Sequence, residues 1–166
     1  MRLCAVSLGL ISLLAGAAHG APPAFDDARA LQKRGALREA QKAYEALLPE
    51  LRSSDPAALG AALNALSQIA SAQGQYDSAA ARAREAVDVH RALADRSGEA
   101  HAIHLLGVAE LYQAHYASAL NQLETALALA RTIGDREREI AVLNNVGSIH
   151  FHQARYLEAL DRKSVV

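Results

Sequence analysis

Ala102–Ala126 reads AIHLLGVAELYQAHYASALNQLETA. Its apolar residues recur at helical spacing up to Tyr112 and again from Tyr116, which predicts two helices joined by a tight turn near His115. Parts of the stretch return along the chain. Tyr76, Tyr116 and Tyr156 are 40 residues apart, and Ala79, Ala119 and Ala159 follow three residues after each. Gly107 and Gly147 precede their tyrosines by nine residues, and Ser67 holds that place in the copy before them. A weaker copy upstream has Ala28, Leu37 and Ala40 in these places, 39 residues before the next. A fixed period of this size means a stacked array of helical hairpins, in which no hairpin buries its apolar stripe alone.

The recurring types have physical reasons. Ile103, Leu106, Gly107 and Glu110 share one side of a helix, as do Leu63, Leu66, Ser67 and Ala70, and then Leu143, Val146, Gly147 and His150. Glycine or serine lets two backbones approach. The tyrosine starts the second helix and fills the gap between neighbours. On this register His150 is expected on the packing side.

These residues resemble the tetratricopeptide repeat family. The likeness lies in the small residue (Ser67, Gly107, Gly147), the tyrosine at the turn, the alanine three later, and Ala86 and Ala126 beyond it. It spans Phe25 to Leu160. The period exceeds the family's usual ~34 residues, and no proline closes each repeat, so the longer-helix variant is the nearer likeness. Ala94-Asp95-Arg96 and Gly134-Asp135-Arg136 then mark turns between repeats. The first copy is the weakest, as suits a terminal cap, with Leu47 standing where Ala86 and Ala126 stand later. The resemblance implies an all-α fold: a right-handed superhelical array of α-α hairpins, about three and a half repeats.

Composition agrees. Of 166 residues, 51% are apolar and 4% aromatic, an alanine- and leucine-rich helical chain with room for one continuous core. A net charge of −1 gives no electrostatic case for nucleic acid or an anionic membrane. Met1–Gly20 reads as an export signal: Arg2, an apolar run from Leu3 to Ala17, and small residues at Ala18 and Gly20. Cleavage is expected after Gly20 and a periplasmic location follows; the alternative is an uncleaved anchor. The only cysteine, Cys4, leaves with the signal. Residues 21–24 form a linker and 25–160 the repeat domain.

Helices are expected over Phe25–Arg34, Leu37–Arg52, Pro56–Ala72, Tyr76–Ala94, Gly98–Gln113, Tyr116–Ile133 and Arg136–Gln153. Pro49 should kink or shorten the second. Asp55 and Pro56 form a helix start. At the end, Lys163 falls where Tyr44, Ala83 and Leu123 fall earlier, in the packing seam. Residues 161–166, DRKSVV, read as a non-native tail, with the natural protein continuing beyond Leu160.

The first helix of each pair should line a concave groove. The side opposite the stripe holds Ala61, Asn64, Gln68, Ser71 and Ala72, then His101, His104, Val108, Leu111 and Tyr112, then Ala141, Asn144, Ser148, Phe151 and His152. Such a surface suits an extended peptide or a partner helix. The family likeness implies that Asn144 or Asn145 hydrogen-bonds a ligand's backbone, since an amide both donates and accepts. A solvated asparagine, or one bonding between helices, is the other reading. Asn64 matches Asn144, but Ala65 replaces Asn145. His101 and His104 lie one turn apart without a third ligand, so no metal site is expected; a pH-sensitive groove is a better use for them than a metal, and ordinary groove or surface histidines are the favoured reading. No catalytic constellation, cofactor loop or nucleic-acid surface is present in the sequence.

The expected function is an exported protein- or peptide-binding scaffold. By likeness to such arrays behind export signals, it is the sensory part of a larger bacterial signalling protein of the diguanylate cyclase or histidine kinase type, with the membrane reached only through a downstream segment. The alternatives are the repeats of a CHAT-type peptidase and a stand-alone periplasmic assembly factor.

Overall fold

The computed structural model describes residues 23–164, with side chains from 24 to 154. The expected export signal and the last two residues of the suspected tail lie outside the described residues. Seven helices follow one another: α1 (Pro23–Lys33), α2 (Leu37–Ser54), α3 (Pro56–Ala72), α4 (Tyr76–Ala92), α5 (Arg96–Tyr112), α6 (Tyr116–Ile133) and α7 (Arg136–Ser164). No strand occurs among the described residues, and none of these helices is long and apolar enough to cross a membrane. Each helix packs on the next. α3 also touches α5, and α5 touches α7, so the first helices form one row. This is an all-α helical repeat solenoid.

The caps repeat with the period. Asp55, Asp95 and Asp135 accept from the backbone N–H of Ala58, Gly98 and Arg138 at 3.0, 3.0 and 2.9 Å. Each satisfies a donor that the first helical turn leaves free. The Arg138 N–H also holds the Asp135 carboxyl below its usual range. Turns within repeats put Gly74 and Ala114 in the left-handed region, and turns between repeats put Ala94 and Gly134 there. An alanine in that region carries strain that glycine avoids. Ala114→Gly should therefore raise stability by ~0.5–1 kcal/mol, read as a higher urea midpoint. A lower midpoint would mean that the Ala114 methyl packs.

The repeated small residue does what its size suggests. A Cβ on Gly107 would lie 2.8 Å from Leu123 Cγ and 3.4 Å from the Ala119 carbonyl oxygen. In the copy before, Ser67 donates to the matching carbonyl, that of Ala79, at 2.9 Å. Glycine approaches this backbone; serine bonds it. Ala79, Ala119 and Leu123 have no exposed surface.

Three expectations need correction. Of the two outcomes expected of Pro49, the early end does not occur: α2 runs on through it to Ser54. It lies on the exposed side, where water can serve the carbonyl left without a donor, while Leu48 and Leu51 hold the helix in the core. α7 does not stop at Gln153 but continues to Ser164. His150 is exposed rather than packed, because no further helix lies on that side of α7 among the described residues. There Gly147, the counterpart of Gly107, has nothing within 4 Å of a built Cβ.

The joints between repeats also recur. Glu99, buried on α5, is held by Arg91 Nε at 3.0 Å and Arg96 Nη1 at 2.9 Å. Forty residues on, Glu139 is held by Arg131 Nε at 2.8 Å and Arg136 Nη1 at 3.3 Å. Arg131 chiefly keeps the Glu139 carboxyl below its usual range. At the first joint the places of Arg91 and Glu99 are taken by Leu51 and Leu59, both in the core.

Candidate functional site

The row of first helices carries a ladder of polar side chains. Tyr44, on α2, donates its hydroxyl to Gln32 Oε1 at 3.2 Å. Gln32 donates to Gln68 Oε1 at 3.1 Å, and Gln68 Nε2 lies 3.0 Å from His101 Nε2. One turn along α5, His104 Nε2 lies 2.8 Å from Asn145 Nδ2. An amide NH2 only donates, so both histidines accept at Nε2 and carry their proton on Nδ1. Burial pushes both down to about 4, and the nearby Arg138 guanidinium adds to the effect. Near neutral pH they are uncharged. With Nε2 spent on an amide, neither presents that nitrogen to a metal.

Two cavities lie along the ladder. One, of about 340 Å³, sits among Phe25, Arg29, Tyr44, Asn64, Gln68 and His101. The other, of about 330 Å³, adjoins it through Gln68 and His101 and is bounded by His104, Asp135 and Arg138. In the first wall, the Tyr44 and Phe25 rings meet in a T-shape with centroids 5.5 Å apart, and Arg29 lies over the Phe25 ring at 5.3 Å. Asn64 is 6% exposed and directs Nδ2 to His90 Nε2 at 3.1 Å. Its Oδ1 is buried without a partner. A buried acceptor left unpaired costs free energy until a donor reaches it.

His90 is the residue that sequence reasoning missed. It lies buried on α4, with Asp95 Oδ2 2.9 Å from its Nδ1. Its ring fills the space that two glycines leave: a Cβ on Gly60 would come within 2.7 Å of it, and one on Gly98 closer still. The signal available was those two glycines near the starts of α3 and α5, where an isolated glycine marks a close approach. Arg29 and Phe25 were missed for a simpler reason. They are the α1 counterparts of Gln68 and Asn64, one 39-residue step upstream.

Of the expected groove residues, Asn64, Gln68, His101 and His104 line these two cavities. Val108 is half-buried, and Asn144 and Ser148 are exposed on α7, the Ser148 hydroxyl donating to the Asn144 carbonyl at 3.0 Å. Asn145 takes the other reading, bonding between helices. Leu111 is not in the groove: it is buried in the core, because it lies one turn beyond Gly107 on the packing side. Tyr112, 62% exposed, and His152 sit at the turn edge of the repeats instead. Tyr112 stacks on Tyr76 at 5.0 Å, and His152 stacks on Tyr116 at 6.3 Å.

Residues 59–97 match the tetratricopeptide repeat family model. No curated protein matches the chain. Among solved structures, BtubC (BKLC) from P. vanneervenii is similar at 24% identity and a TM-score of 0.63, over 76% of this chain and 52% of that one. A putative kinesin light chain of nearly identical TPR-like repeats from Podosopora anserina is similar at 16% identity and a TM-score of 0.65, over 83% and 69%. A single-substitution form of that protein gives a TM-score of 0.66. The chain thus spans about half the length of BtubC, and the likeness to these structures is one of fold. Residues 59–97 match a tetratricopeptide repeat, and the described residues on either side continue the same helical-repeat fold that these solved structures have.

Proposed function

We propose that the row of first helices binds a protein partner through an extended peptide, without catalysis. Tetratricopeptide repeats build protein-interaction scaffolds, and the observation that carries the reading here is Asn64 Oδ1. It is a buried, unpaired acceptor in the wall of an open cavity with aromatic and polar sides. A peptide N–H supplies the donor it lacks, and the chain then continues past His101 into the second cavity beside Arg138. His101 and His104 are neutral, so Arg29 brings the positive charge to the first cavity. The Met1–Gly20 signal supports export to the periplasm, and the array is then the sensory part of a larger signalling protein.

The groove is tested with a displayed peptide library selected on the purified protein. Asn64→Ala combined with Arg29→Ala should weaken the selected peptides roughly tenfold or more, about 1.4 kcal/mol, with helicity retained. Peptides that bind the double variant equally well would exclude this cavity. Export is tested by fractionating cells that express the C-terminally tagged chain: a periplasmic species starting at Ala21 is expected, and a cytoplasmic one retaining Met1 would reject it.

A further inference from the structure

The second joint departs from the repeat. His90 stands where Glu50 and Ala130 stand at the joints on either side, and Gly98 stands where Ala58 and Arg138 do. Gly60 and Gly98 leave the room that the His90 ring fills. The ring is 4% exposed, and each of its nitrogens faces one side chain, Asp95 at Nδ1 and Asn64 at Nε2.

Asp95 decides the order of protons along this line. Its Oδ1 accepts the Gly98 N–H at 3.0 Å, which leaves Oδ2 toward His90 Nδ1 at 2.9 Å. Nδ1 makes no well-aligned hydrogen bond there, and the pull is that of charge. A carboxylate attracts a ring N–H and repels a ring lone pair, so the proton belongs on Nδ1. Nε2 then accepts, and Asn64 turns Nδ2 toward it at 3.1 Å. The two ends of an amide are alike in shape, and the neighbour's proton sets which way they point. What remains for the first cavity is Asn64 Oδ1, buried and unpaired.

We infer that Asp95, which does not line the cavity, fixes through His90 which atom of Asn64 the groove presents, and so makes the site select a guest's N–H over its C=O. His90 and Asp95 are positioning residues. The preference for N–H rests on the function proposed for Asn64; the placement of the proton does not. A near-isosteric change should reverse the whole line. Asp95→Asn keeps an oxygen for the Gly98 N–H, since asparagine caps a helix as well as aspartate does, and so turns its NH2 to His90 Nδ1. Nδ1 then accepts, Nε2–H donates, and Asn64 rotates to offer Nδ2 to the cavity.

Nitrogen NMR on the full chain, with the His90 signal assigned by its loss in His90→Gln, should place the ring proton on Nδ1 in the natural protein and on Nε2 in Asp95→Asn. Asp55→Asn, the same change at the cap of α3, should leave it on Nδ1. A peptide selected on the natural protein from a displayed library should bind Asp95→Asn roughly tenfold more weakly, and Asp55→Asn as before. Methylating the backbone nitrogens of that peptide one at a time should find a position that matters in the natural protein and not in Asp95→Asn. A proton that stays on Nδ1 in Asp95→Asn overturns the inference. A proton that moves while the peptide binds as before confirms the positioning and overturns the function proposed for Asn64.

Discussion

Acidification from neutral pH should weaken the folded array by a few kcal/mol, with the loss falling between pH 6.5 and about 4. The cause is the histidine pair on α5. Unfolded, each takes up a proton near 6.5; folded, His101 and His104 resist it until about 4, chiefly because they are buried. Within that window the unfolded state binds more protons, so stability declines as pH falls. Below the folded value both states are protonated and the pair adds no further slope. Each unit of difference is worth about 1.4 kcal/mol per group, but the two histidines share Arg138 and keep some contact with water, so the sum of two full shifts is an upper bound. Protonation also turns the Nε2 of each ring from acceptor to donor, opposing the Gln68 and Asn145 amides. Asp135 and Glu139, held low by arginine contacts, lose their contributions only at more acid pH. Urea midpoints measured against pH should show the decline in the natural chain and a flatter profile in His101→Gln/His104→Gln. Equal slopes in both proteins would place the titrating groups elsewhere.

One substitution made twice, 40 residues apart, gives the second large effect. Gly107→Val should cost about 1–3 kcal/mol, because the new side chain meets Leu123 and the Ala119 carbonyl in a closed seam. The leucine end can rotate away; the backbone carbonyl cannot. Gly147→Val should stay within about 0.5 kcal/mol, since nothing lies within 4 Å of a Cβ built there. Thermal unfolding of the two variants measures the contrast. Equal losses would contradict the closure of α6 over Gly107.

The array was legible because its signal is periodic. Tyr76 and Tyr116 start helices where the spacing puts them, and Asp55, Asp95 and Asp135 cap the helices that follow. The site was legible only in part. The expected peptide-facing sector of α5 ran too wide, since an inner helix with neighbours on several sides keeps a narrow free strip; that is why Leu111 fell outside it. Side-chain partners were less readable still. Whether Asn145 faces solvent or His104 depends on a residue 41 positions away, and no local pattern carries that. The continuation of α7 to Ser164 was unreadable because the local pattern there repeats the one that turns after α5.

The joints described above are not alike, and their chemistry sets where the array yields. Between the second and third copies, and again between the third and the last, a carboxylate is gripped by two arginines; the matching places at the first junction hold leucines. Ions in solution weaken charge pairing and leave oil-like contact intact or strengthened. In brine, then, the array has a firm root and a looser crown, and any bending of the solenoid begins among its later joints.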